Sequence, residues 1–127
     1  GNLGLADHGY QVLASPQVGM LGKLPVFHGH ELPKGLTNSV NPARGLFLRL
    51  RETAICGHFH QPSTHNEDTG LEKNTVVCWS TGCLCDLWPE YAVVNKWSHG
   101  WATVKVDSSG HFQVRNWRIT KGEVTQI

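Results

Sequence analysis

The sequence lacks features that would direct it to a membrane. No apolar run approaches the roughly 18 residues of a membrane-spanning helix, and no charged-then-apolar signal segment opens the chain. Strong net charge is also missing, because eleven basic and ten acidic residues leave a formal charge of +1. This balance argues neither for nor against nucleic acid as a partner. We therefore expect a cytoplasmic protein without membrane association.

Internal repeats, low-complexity segments and paired Cys-x2-Cys motifs are absent as well. The 127 residues suffice for one domain with a real core, so residues 1–127 are interpreted as a single domain. Cys56 and Cys78 lie in apolar, strand-like runs, which favours reduced, buried thiols. An alternative is structural zinc held by Cys83 and Cys85 together with Cys78, although the usual ligand spacing is missing.

Histidine is abundant, with eight residues, and two histidine-containing stretches stand out. The apolar run at residues 54–56 leads into Gly57-His58-Phe59-His60, where an extended backbone would point both imidazoles the same way. Upstream, the apolar run at residues 24–27 leads into His28-Gly29-His30. Neutral imidazole is the commonest metal-binding side chain, so both stretches are candidate metal ligands.

A helix is predicted between these two stretches. Asn41 provides a cap and Pro42 a favourable first helical residue; an apolar stripe then recurs at helical spacing, comprising Ala43, Leu46, Phe47 and Leu50. The order strand, helix, strand predicts a right-handed crossover between parallel strands. Ligands gather at the carboxyl ends of such strands, where His28 and His58 lie.

The ordered motifs His28-Gly29 and Gly57-His58-Phe59-His60 resemble the last two motifs of the calcineurin-like metallophosphoesterases. The resemblance extends over roughly residues 10–120 and is greatest to the C-terminal region of bacterial and phage members. It implies an α/β fold that is the C-terminal half of a β-sandwich flanked by helices. Within it we expect a strand-rich mixed sheet and one main crossover helix.

The resemblance also implies a site with two divalent metals, manganese, iron or zinc, that hydrolyses phosphomonoesters, phosphodiesters or nucleic acids. His28 and His58 would bind one metal and His60 the other, with no catalytic residue beyond these ligands. His30 and Arg44 are candidate substrate-binding residues. For Arg44, an ordinary solvated helix face is the competing interpretation, and for His30 a simple loop position.

The family's earlier motifs, Asp-x-His, Gly-Asp and Gly-Asn-His, have no counterpart in this chain, since no aspartate follows a glycine. We therefore expect an incomplete domain in which metal binding by the chain alone is weak or absent. An N-terminal half or a partner chain would supply the missing ligands, and an exposed apolar face would promote self-association. Whether the chain is itself an enzyme stays open. The alternatives are a non-catalytic protein that binds metal or nucleic acid, and an independent hydrolase with a three-histidine zinc site.

Downstream, residues 61–73 are polar and predict a surface loop. Residues 75–79 predict a buried strand. Residues 101–106 and 112–119 alternate around a turn at Asp107-Ser108-Ser109-Gly110, which predicts a hairpin. A shift in the apolar parity of the second hairpin strand predicts a bulge near Arg115 and Asn116.

Overall fold

A computed structural model describes residues 4–10, 12–13, 18–32 and 40–127. These residues form two sheets and one α-helix, together with two short 3-10 turns. The first sheet and the helix comprise β1 (Gly19–Leu21), β2 (Leu24–Phe27), α1 (Pro42–Leu50), β3 (Ala54–Cys56), β4 (Ser63–Asp68) and β5 (Thr75–Ser80). The second sheet comprises β6 (His99–Val106), β7 (Phe112–Thr120) and β8 (Glu123–Gln126). The expected mixed, strand-rich α/β architecture with one main helix is confirmed.

The first sheet has the order β1-β2-β3-β5-β4. Its three central strands, β2, β3 and β5, run parallel, whereas β1 and β4 pair antiparallel at the two edges. The predicted parallel crossover from β2 through α1 to β3 is therefore confirmed. Because the central strands are parallel, their carboxyl ends lie along one edge of the sheet.

Helix α1 begins where the sequence predicts. The Asn41 side chain accepts a 3.0 Å hydrogen bond from the backbone N–H of Arg44, and Pro42 occupies the first helical position. The helix ends at Arg51, which adopts a left-handed conformation (φ 58°) and donates its N–H to the Phe47 carbonyl. A small core between helix and sheet consists of Leu46, Phe47, Ala54, Cys56 and Cys78. Other apolar residues of the described chain are also buried, namely Leu24, Ala43, Ile55 and Cys83. No helix in the described part of the chain has the length and hydrophobicity needed to cross a membrane.

The loop predicted over residues 61–73 is partly wrong, because β4 occupies its first half. β4 pairs with β5 along its whole length, from Ser63 opposite Ser80 to Asp68 opposite Thr75. Its sequence is polar because it is an edge strand whose last three residues are exposed. This segment therefore forms a strand because it pairs with the apolar strand β5, although its own residues have little preference for a strand.

The predicted hairpin is confirmed as β6 and β7, and β8 adds a third strand. The predicted bulge is wrong, because the pairing continues without interruption from His99 opposite Ile119 to Val106 opposite Phe112. The parity shift instead reflects Asn116, a polar residue that is almost completely buried. Its amide donates to the carbonyls of Ser63 (3.1 Å) and Ser80 (2.9 Å), which ties the second sheet to the first.

Candidate functional site

The carboxyl ends of β2 and β3 bring two histidines together. His28 follows β2 directly, and Gly57 separates β3 from His58. The Gly57 N–H donates to the carbonyl of His28 at 3.1 Å, so the two strand ends remain joined beyond the last paired residues. The imidazole rings of His28 and His58 have centroids 4.9 Å apart. This juxtaposition is the one expected from the order of strands and helix.

His30 and Glu31 complete this group, which we call the histidine cluster: His28, His30, His58 and Glu31. The Nδ1 atoms of His28 and His30 are 2.9 Å apart, so one ring donates an N–H hydrogen bond to the other. Glu31 accepts a 2.8 Å hydrogen bond from the Gly29 N–H and lies 3.7 Å from His30 Nδ1.

Glu31 was not predicted to be a site residue. The only sequence signal is that this acidic residue directly follows the motif His28-Gly29-His30. Its carboxylate brings a negative charge next to the three imidazoles, and carboxylate oxygen is itself a common metal ligand.

Gly29 is the residue that allows this close packing. Its φ of +117° lies in a backbone region that residues other than glycine rarely adopt. A Cβ at this position would lie 3.0 Å from both the Gly57 carbonyl oxygen and the Cβ of His58. The glycine of the His-Gly motif therefore has a steric role between the two strand ends.

His60 does not follow the direction of His58. Both residues have left-handed backbones, with φ 69° at His58 and 57° at His60, so the expectation of an extended segment with parallel side chains is wrong. The His60 ring packs edge-on against Trp97, with centroids 4.4 Å apart. Its Nδ1 lies 3.9 Å from the sulfur of Cys85. Non-glycine residues with this conformation are uncommon and concentrate at functional sites.

The surroundings of His58 and His60 favour the neutral form of both imidazoles. Burial, followed by the neighbouring charges of His28, His30 and His60, lowers the pKa of His58 below its ordinary value. Burial and then the charge of His28 lower the pKa of His60. For Glu31, burial acts to raise the pKa, but hydrogen bonds from its own and the Gly29 backbone, with the charges of His30 and His28, outweigh it and lower the pKa. Neutral imidazoles beside an ionised carboxylate have the lone pairs that metal binding needs.

The cysteines separate into two pairs. The expectation of buried, free thiols holds for Cys56 and Cys78, whose pKa values burial raises to about 12 and about 11. The Cys78 thiol donates to the Glu52 carbonyl at 3.2 Å. Cys83 and Cys85, also free, instead lie beside His60, and burial raises the pKa of Cys83.

Arg44 lies in the first turn of α1. A contact with β4 holds this turn at the edge of the first sheet where the parallel strands have their carboxyl ends. The backbone N–H of Ala43 donates to the Ser63 hydroxyl at 3.0 Å, and Ser63 follows His60 by three residues. The Arg44 side chain is exposed. Arg44 is therefore at the same edge of the sheet as the histidines, without a direct contact that assigns it a role.

Comparisons with protein-family models, curated proteins and solved structures found no match to this chain.

Proposed function

We propose that this chain is part of a metal-dependent phosphoesterase, in which the histidine cluster contributes half of a metal centre. The observation that carries the proposal is the pair of parallel strands that end in His28 and His58, with ring centroids 4.9 Å apart. The order of the two histidine motifs in the sequence predicts this arrangement.

Imidazole nitrogen and carboxylate oxygen are donor types that divalent metals accept. His28 and His58 are the ligands proposed for one ion, and Glu31 adds the ionised carboxylate that three neutral imidazoles would lack. The left-handed backbone at His58 directs its ring towards His28. His60 is the proposed ligand of a second ion. A bound pair of metals would activate the attacking water and stabilise the leaving oxygen of a phosphate ester.

His30 and Arg44 are the proposed substrate-side residues. His30 is half exposed, with 51% of its side chain accessible, and its Nδ1 lies 2.9 Å from that of His28. Arg44 lies in the first turn of α1, and its exposed guanidinium is the kind of group that binds an anion such as phosphate.

A missing half of the site would come from another segment or chain. Exposed apolar side chains in the segment after Cys83 are consistent with such a partner: Leu84 (74%), Trp88 (70%), Tyr91 (83%), Val93 (61%) and Val94 (96%). Monomeric proteins rarely expose apolar residues in such a dense group. We therefore propose that this segment contributes to the covered face in the complete site or in a self-associated form.

Manganese binding tests the cluster directly. Titration of Mn²⁺ followed by electron paramagnetic resonance should show weak binding by the parent chain and at least a tenfold loss in His58→Ala. His111→Ala is the matched control, because His111 is an exposed histidine on the β6–β7 turn and should leave binding unchanged. Equal Mn²⁺ binding by parent and His58→Ala would contradict the proposed site.

Activity is tested with a chromogenic phosphodiester and added manganese. The chain alone should be inactive, and activity should appear when a polypeptide carrying Asp-x-His, Gly-Asp and Gly-Asn-His is supplied. That activity should disappear with His58→Ala. Manganese binding without turnover in the mixture would favour the alternative, a non-catalytic metal-binding protein. Robust turnover by the chain alone would favour a self-sufficient three-histidine hydrolase.

A further inference from the structure

A second group of potential ligands lies beside the histidine cluster and is chemically different from it. His60, Cys83 and Cys85 each offer one ligand atom, and these three atoms all lie within 4.8 Å of one another. The His60 Nδ1 to Cys85 sulfur distance of 3.9 Å is close to the roughly 3.6 Å that separates nitrogen and sulfur ligands on one tetrahedral zinc ion. The remaining separations are no longer than 4.8 Å.

The backbone holds two of these residues in place through one short segment. Cys83 forms a parallel bridge with His99, in which the Cys83 N–H donates to the Ser98 carbonyl and the Gly100 N–H donates to the Cys83 carbonyl. The Ser98 N–H in turn donates to the His60 carbonyl at 2.8 Å. The backbone positions of His60 and Cys83 are therefore joined through Ser98.

Side chains of the same segment add to this framework. The His99 Nε2 lies 2.7 Å from the Cys85 carbonyl oxygen and donates to it, which orients the loop that carries the second thiol. Trp97 packs edge-on against the His60 ring and restricts its rotation. Gly82 permits the close approach, since a Cβ there would lie 2.6 Å from both the Ser98 oxygen and the Gly100 nitrogen.

We propose that His60, Cys83 and Cys85 bind a single zinc ion, with a fourth position open to water or another ligand. Zinc prefers thiolate and imidazole ligands in tetrahedral geometry, and two thiolates balance its charge without any carboxylate. The Cys-x-Cys spacing is unlike that of common structural zinc motifs, which explains why the sequence did not single out this set. The ligand from outside the Cys-x-Cys pair, His60, precedes Cys83 by 23 residues and joins it only in the fold.

The chemistry separates this site from the histidine cluster. Sulfur ligands select zinc and other soft or borderline metals, whereas imidazole and carboxylate accept manganese as well. The proposal does not depend on the phosphoesterase function. If both hold, the second metal of the complete site is a thiolate-bound zinc at His60 rather than a carboxylate-bridged ion.

Cobalt(II) is the probe for this site, because cobalt bound to thiolate gives a near-ultraviolet charge-transfer band that histidine and carboxylate ligands do not produce. The reduced full chain is titrated with Co²⁺, and one equivalent of Zn²⁺ is then added. We expect a saturable band at one Co²⁺ per chain that zinc abolishes. Absence of the band in folded protein would overturn the proposal, whatever the result of the manganese experiment.

Variants then identify the ligands. Cys85→Ser changes an exposed residue, so the fold should persist, and Co²⁺ affinity should fall at least about tenfold with a weaker band. His60→Gln should weaken binding to a similar extent while keeping the charge-transfer band. Cys78→Ala and His111→Gln are matched controls for a thiol and an imidazole outside the set, and both should bind Co²⁺ like the parent. A band that survives unchanged in Cys85→Ser, or disappears in Cys78→Ala, would refute the assignment.

Discussion

Replacement of Asn116 by alanine should weaken the attachment of the second sheet to the first. The Asn116 side chain is 1% exposed, and its amide donates hydrogen bonds to the carbonyls of Ser63 and Ser80. These two residues are paired with each other at the start of β4 and the end of β5. A single amide on β7 therefore links both strands of one sheet edge to the other sheet.

The expected loss follows from these contacts. Each hydrogen bond contributes about 1 kcal/mol net, and carbonyl groups left buried without a donor add a further penalty, so Asn116→Ala should lower the free energy of unfolding by about 2–4 kcal/mol. For a domain of this size, that corresponds to a decrease in Tm of roughly 10 °C. The Asn116 Oδ1 atom is buried without a hydrogen-bond partner, which places the loss in the lower part of this range.

Urea unfolding monitored by tryptophan fluorescence measures this effect, because Trp101 and Trp117 stack in the second sheet with centroids 6.1 Å apart. Asn66→Ala is the matched control: Asn66 is an exposed asparagine on β4 and should change stability by less than about 0.5 kcal/mol. If Asn116→Ala is as stable as Asn66→Ala, the amide does not hold the sheets together and the reasoning fails.

Two further predictions concern the strand ends and the thiols. Gly29→Ala should weaken Mn²⁺ binding at least tenfold, because a Cβ at φ +117° would push against the Cβ of His58. Gly70→Ala is the matched control and should bind Mn²⁺ normally, because Gly70 has no positive φ and a Cβ there would meet no other atom. Equal Mn²⁺ affinities of the two variants would show that Gly29 has no steric role. At pH 8, a thiol reagent should label Cys85 rapidly and leave Cys56 and Cys78 unmodified until the protein unfolds, since burial raises their pKa values to about 12 and about 11. Because the two thiols ionise near the ordinary pKa of 9.0 in the unfolded chain, the free energy of unfolding should fall as the pH rises above 9 towards 11–12. A free energy of unfolding that stays constant across this range in urea titrations would contradict the burial argument. Rapid labelling of all four thiols in the folded protein would contradict it as well.

Local chemistry in the sequence was sufficient to predict several elements. Asn41 and Pro42 specify the start of α1 because a cap and a proline act within one turn of the chain. The turn at Asp107-Ser108-Ser109-Gly110 specifies the hairpin, since the Asp107 carboxylate accepts from the N–H groups of Ser109 and His111. Apolar runs on either side of a helix predicted parallel strands, and hence the meeting of His28 and His58.

Contacts between distant segments decided the rest. β4 is a strand because β5 pairs with it, and Asn116 is buried because two carbonyls from another sheet surround its amide. His60 turns towards Cys85 and Trp97 because its left-handed backbone breaks the alternation assumed for an extended chain. Periodicity and capping act over a few residues, whereas the partners in these arrangements are separated by between 7 positions (Asp68 and Thr75) and 53 positions (Asn116 and Ser63). The association of His60 with two thiols was therefore determined only by the tertiary structure.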